Sequence, residues 1–215
     1  MSFRSTSGKH IKLAVIAAAG LLIAVFAYSN RSDRMVRVEA STVTSDSLVS
    51  EPDPAKARSA FNDAVKVFFS ARCANCHPGG DAPSQGDSMT PHSMEVKRGP
   101  DGRGVGEQKC ATCHQDINLD GDNMPPGAPD WHMPGAAQKM PFQGISAGQL
   151  CRNLKDPLQN GGRKTAKDAV QHVSTDPKVL WAWDPGNGRT TPPISHAEFL
   201  KKMNEWVENG AACPE

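Results

Sequence analysis

Aromatic side chains are scarce. Phe, Trp and Tyr make up 6% of the 215 residues, with one tyrosine. A chain with few large apolar groups struggles to build a core from protein alone, so a bulky cofactor is expected to fill part of the interior. An excess of either charge is also missing. Lys and Arg number 24 against 23 Asp and Glu, with no basic block and no acidic tail. That excludes a surface built to follow a nucleic-acid backbone. Alternating strand patterns are absent, so no substantial sheet is expected. Glycine (19) and proline (17) are plentiful and imply many turns. The length allows one or two small domains.

The single long apolar run is an address. Arg4, Lys9 and Lys12 precede an unbroken apolar stretch from Leu13 to Tyr28. A positive segment followed by an apolar one is the pattern of an export signal. Residues 1–30 are therefore read as a signal peptide, with Val25-Phe26-Ala27 as the cleavage site, or as an N-terminal membrane anchor. The run lacks Cys, which excludes a lipid attached there. Residues 31–52 are rich in Ser, Thr, Asp and Arg without a sustained period and read as a flexible tether.

The folded part is expected over residues 53–215 and reads as mostly α. Asp53-Pro54 opens a helix, and Ala57, Ala60, Phe61, Ala64, Val65 and Phe68 recur along one face. Ser146 with Gln149, and Ser195 with Glu198, have capping-box spacing. Thr165 opens a short helix through Val173. Phe199, Leu200, Met203, Trp206 and Val207 form the apolar face of a last helix that Gly210 ends.

The chemistry lies in two short motifs. Cys73-Ala74-Asn75-Cys76-His77 and Cys110-Ala111-Thr112-Cys113-His114 both read C-x-x-C-H, the attachment signature of c-type haem. Two thiols three positions apart lie on one helical turn, where each can add to a haem vinyl group. The histidine beside them then lies under the iron. A structural zinc would use the four thiols but leave both histidines unexplained, and the 33 residues between the pairs exceed the usual spacing. A thioredoxin-like motif would need a βαβ context. An iron–sulfur cluster again ignores both histidines. Cys151 and Cys213 remain, and in an exported chain a disulfide joining them is favoured over two buried thiols.

With these motifs the chain resembles the c-type cytochrome family. The resemblance is strongest from 54 to 77 and returns at Lys139-Met140-Pro141-Phe142, before the helix opened by Ser146. It implies cytochrome c-like helices with long irregular loops around two haems, and Met140 as a second axial ligand. A second motif inserted between these stretches, and about 60 residues after the helix, depart from the small monohaem pattern. The stretch from Trp131 to Trp183 is loosely similar to dihaem subunits that accompany molybdenum-containing oxidoreductases.

Gly86-Asp87-Ser88-Met89 and Gly121-Asp122-Asn123-Met124 make a weak repeat, followed by His92 and His132 respectively. Compact multihaem cytochromes pair two histidines on each iron, which implies His92 and His132. His172 and, more weakly, Met133 also compete for these positions. Trp181 and Trp183 are read as core residues or porphyrin contacts, and Arg152, Arg163 and Arg189 as partners for haem propionates or solvated groups. Gly99 to Gly104 is a turn, because it lacks the Lys-Ser/Thr ending of a phosphate loop.

The expected function is one-electron transfer through two covalently bound haems. It would occur on the periplasmic side of a bacterial inner membrane, as a relay between a dehydrogenase or other oxidoreductase and an acceptor or as a subunit of such an enzyme, with no catalytic residue in this chain. The alternative is a dihaem peroxidase-like enzyme. That would need an open site on one iron, and such enzymes place their haems in two separate domains.

Overall fold

Asp53 caps the first helix by accepting from the backbone N–H groups of Ala55 and Lys56, and Pro54 occupies the first position, where its missing N–H costs nothing. The computed structural model describes residues 51–215, which fall within one compact unit, Leu48–Glu215. The sequence readings on residues 1–50 lie outside the described residues. Among the described residues, no helix is long and apolar enough to cross a membrane.

Helix α1 (Pro54–Phe68) buries the stripe of small and aromatic residues read from its periodicity. It packs against the last helix, α7 (His196–Glu208), whose buried face is Phe199, Met203 and Trp206. The seam is aromatic. Phe61 and Trp206 have ring centres 5.1 Å apart, and Phe68 meets Phe199 and Phe142 edge-on, each at 5.3 Å. Such pairs add about 0.5–1.5 kcal/mol beyond the area they bury. Helices α4 (Ala147–Lys155) and α5 (Ala166–Thr175) complete the frame. A disulfide between Cys151 and Cys213 closes it, pinning the C-terminal tail against α4 across 62 residues.

The caps differ in completeness. Thr165 and Asp168 form a full capping box, and the helix they open runs two residues beyond Val173. At Ser146 and Ser195 the hydroxyl accepts from the third N–H, but the reciprocal bond is missing. Gln149 bonds Asn153 Oδ1 at 2.8 Å instead, a closer partner one turn on. Helix α6 (Pro177–Trp181), capped by Asp176, was not anticipated, although Asp176-Pro177 repeats the Asp53-Pro54 signal.

The structure is mostly helical, with two small antiparallel hairpins. In the first, β1 (Ser84–Gln85) pairs with β2 (Thr90–Pro91), Gln85 opposite Thr90. In the second, β3 (Gly104–Val105) pairs with β4 (Gln108–Lys109), Gly104 opposite Lys109. Both escaped the periodicity reading because two-residue strands carry no alternation. Each leads toward one of the histidines singled out in the sequence. The first leads into His92, and the second runs directly into α3 (Cys110–Cys113), the helical turn of the second motif. The two halves of the weak sequence repeat therefore differ in structure. Gly86 to Met89 is the tip of a hairpin, whereas Gly121 to Met124 is a turn followed by chain with no regular element.

Candidate functional site

The first motif begins three residues after Ser70, inside the short helix α2 (Ala71–Ala74) that follows α1. Ala74 is buried under it. The chain beyond the motif is held by strand-like bonds from a distant segment. The N–H groups of Phe142 and Gln143 both donate to the His77 carbonyl, at 2.8 and 3.4 Å. The His77 imidazole stacks on the Phe142 ring, centres 3.9 Å apart and planes 7° from parallel. Its Nδ1 lies 2.8 Å from the Met140 carbonyl. A carbonyl only accepts, so Nδ1 carries the proton and Nε2 holds a free lone pair. A histidine that is to bind a metal through Nε2 is held in this way.

Beside His77 is a cavity of about 440 Å³, within the range of cofactor pockets. One wall comes from α1 and α2, with Phe68, Arg72, Cys73, Cys76 and His77; another comes from α5 and α6, with Ala169, His172, Val173 and Trp181. Burial pushes the Cys73 thiol up to about 12 and Cys76 up to about 11, so both are neutral. Cys76 is raised further by the nearby Cys110 sulfur, which marks where the two motifs approach each other. Burial holds His77 down at about 4, against the pull of the Met140 carbonyl, with smaller contributions from Arg98, His172 and Arg163. His172 is likewise held at about 4, by burial first and then by Arg163. Both imidazoles are therefore neutral, the form that binds metal.

Arg72 lies in the same wall, and sequence reasoning missed it. Its side chain is buried, paired with Asp87, and its guanidinium lies 5.8 Å from the Trp181 ring centre. Its Nε is buried without an acceptor, an arrangement that a carboxylate in the cavity would relieve. Of the three arginines expected to meet propionates, Arg163 lines the cavity and is lowered by burial. Arg152 bonds Gln149 on the surface, and Arg189 donates to the carbonyls of Pro185, Gly186 and Met124. Trp181 and Trp183 both line the cavity. Their indole N–H groups are spent elsewhere, on Asn118 Oδ1 at 3.0 Å and the Ile194 carbonyl at 2.8 Å.

The second motif is built differently. No residue of α3 is buried. His114 again places Nδ1 against a carbonyl, that of Pro126 at 2.7 Å, and stacks on an aromatic ring, Trp131, at 4.7 Å and 5°. Its pKa is lowered by burial, opposed by the Pro126 carbonyl. His92 lies across from it, ring centres 6.1 Å apart and planes crossed by 61°, with its own Nδ1 on the Ser93 carbonyl at 2.7 Å. With each Nδ1 on a carbonyl, the Nε2 atoms of both neighbouring rings are left as acceptors. A metal–imidazole bond is about 2.0 Å, so two imidazoles in line across one iron have ring centres about 6 Å apart. Backbone threads tightly here. A Cβ on Gly102, which sits at φ +79°, would fall 1.9 Å from the Met133 carbonyl oxygen.

The other expected ligands are placed as follows. His132 lines the cavity rim, with Nδ1 on the Asp130 carbonyl at 2.7 Å and near its carboxylate at 3.2 Å. Met140 is buried at φ +47°, lines the cavity and has its carbonyl on His77 Nδ1. Met133 is buried, with its N–H on the Gly102 carbonyl. Among the described residues, no three of His, Cys, Asp and Glu gather into a metal-binding cluster. The two C-x-x-C pairs therefore do not converge on the four-ligand cage of a structural zinc.

The donor set fits haem. Each C-x-x-C-H turn keeps both thiols out of disulfides and presents a histidine with a free Nε2. One motif borders a largely apolar cavity with buried arginine, and the other has a second histidine facing it. Compared with protein-family models, with curated proteins and with solved structures, the chain matches none.

Proposed function

We propose that this chain is an exported dihaem protein of the c-type cytochrome kind that relays single electrons between partner proteins. The observation that carries the reading is the repeated arrangement at His77 and His114. Each follows a C-x-x-C pair, gives its Nδ1 proton to a backbone carbonyl and keeps Nε2 free. Cys73 and Cys76, and Cys110 and Cys113, would hold the two haems through thioethers. Haem iron supplies a one-electron oxidation-state change, with a potential set by axial ligands and burial.

The remaining work belongs to the chain. Phe142 and Trp131 fix the planes of the two proximal imidazoles by stacking. His92 is the second ligand at the second site. Arg72 and Arg163 neutralise propionates at the first. Met140 serves through its carbonyl. Trp131 also meets Trp181 edge-on at 5.1 Å, joining the second site to the cavity wall of the first. The Cys151–Cys213 bridge fits delivery to an oxidising compartment, the periplasmic side of a bacterial inner membrane. The partner is a dehydrogenase or other oxidoreductase on one side and an acceptor on the other. No residue of this chain is assigned a catalytic role.

The test is an intact mass of the mature chain with spectra of both oxidation states. Two haem masses added to the polypeptide, with low-spin iron, are expected. A colourless chain of bare polypeptide mass overturns the reading.

A further inference from the structure

We infer that His172 is the axial ligand facing His77, so that the first haem, like the second, is held between two histidines. This rests on the dihaem reading above. The argument starts from one face of α5. Ala169, His172, Val173 and Asp176 are spaced i, i+3, i+4 and i+7, and all four line the cavity. A helix presents such a stripe in one direction. Three of its members are explained by their surroundings. Ala169 and Val173 are buried in the core cluster, and Asp176 caps α6 through the Lys178 N–H. His172 is the member with no structural duty of its own. Its Nδ1 lies 3.6 Å from Asp176 Oδ2, so a carboxylate one turn on stands on the Nδ1 side of the ring, within reach of a small shift, and Nε2 is the nitrogen on the other side. A carboxylate behind a metal-bound histidine is the usual second partner.

The competitors are answered by position. Met140 lines the cavity too, but its backbone is anchored beside His77, where its carbonyl accepts from Nδ1. His132 is tied to Asp130 beside Trp131, which stacks on His114, and so belongs to the rim nearest the second site. His196 donates through Nε2 to the Val173 carbonyl at 2.9 Å. His172 comes from a helix on a different wall from α2, as a ligand across the cavity must.

The experiment uses the mature, haem-loaded chain and reads iron spin state. In the parent, both irons are expected to be low-spin. His172→Ala should convert one iron of the two to high-spin, let carbon monoxide bind one haem per chain, and recover low-spin absorption on adding imidazole. His172→Met, which keeps the bulk should the alanine variant fold poorly, should give one haem a histidine–methionine spectrum and a higher midpoint potential. His132→Ala should leave both irons low-spin. The inference is overturned if both His172 variants keep the parental spectrum, or if His132→Ala is the change that frees one iron. A parent chain without haem overturns the dihaem reading and this assignment together. A two-haem chain indifferent to position 172 overturns this assignment alone.

Discussion

His77 and His114 follow the same C-x-x-C spacing and make the same two local contacts, a carbonyl on Nδ1 and an aromatic ring in parallel stacking. What lies behind them differs. The first site leans on the helical core, since Phe142 packs against Phe68, and Phe68 against Phe199 of α7. The second has no buried residue in its helical turn and is held by polar clamps. Asn118 accepts from the N–H of Gly127 and the indole of Trp181 and donates to the Pro185 carbonyl. Asn187 and Arg189 bond the carbonyls of Leu119, Gly121 and Met124. One site inherits rigidity from apolar burial, and the other depends on a few hydrogen bonds. Segments of the second kind open locally at lower cost than the core. The first site is therefore expected to track global stability, and the second to loosen independently.

The largest test removes the bridge behind the first site. Cys151→Ser with Cys213→Ser opens a loop of 62 residues and should cost about 4 kcal/mol on chain-entropy grounds, read by urea denaturation. Acid gives a second large effect in the chain made without haem. Burial holds His77 at about 4 in the folded protein, below the ordinary value of about 6.5. The unfolded chain therefore binds the proton first. This stabilising contribution is complete above pH of about 6.5 and is lost as pH falls towards 4. Denaturation midpoints that stay flat between those values would contradict a buried neutral His77.

Paired truncations address the comparison directly. Phe142→Ala should cost about 3 kcal/mol, as buried aromatics do. Trp131→Ala, half-buried, should cost about 2 kcal/mol, with faster hydrogen exchange confined to the second site. Equal global losses would break the distinction. Asn118→Ala should cost about 1–2 kcal/mol through lost hydrogen bonds and speed exchange over residues 114–128 without reaching α1. The smallest change is Met140→Leu. The swap keeps volume and carbonyl, so it should cost about 1 kcal/mol and leave both haem spectra unchanged. Loss of a low-spin iron there would restore the methionine as a ligand.

Much of the frame was legible from local signals. The caps at Asp53, Thr165 and Ser195 and the apolar faces of α1 and α7 follow from side-chain chemistry within one or two turns. Helix α6 carried the same signal and was passed over. Where the candidate ligands lie was far less legible. His92, His132, His172 and Met140 are equivalent in a linear reading, because each is a donor residue among turn formers. The β1–β2 hairpin turns His92 toward His114, and the residue pattern around it is too short to announce a strand. Arg72 was hidden in plain view inside the motif's own turn, since burial of an arginine cannot be read from periodicity.

By itself the sequence determined the two C-x-x-C-H motifs, whose paired thiols and adjoining histidine act within one helical turn. It also determined the helices, whose periodicity and caps are local. Only the tertiary structure decided that the His92 and His114 rings lie 6.1 Å apart and that the Met140 carbonyl accepts from His77 Nδ1. It likewise decided that one site is walled by core and the other clamped at the surface. Those outcomes depend on where segments 60 or more residues apart come to rest, and that placement is set by burial summed over the whole core rather than by any stretch of chain.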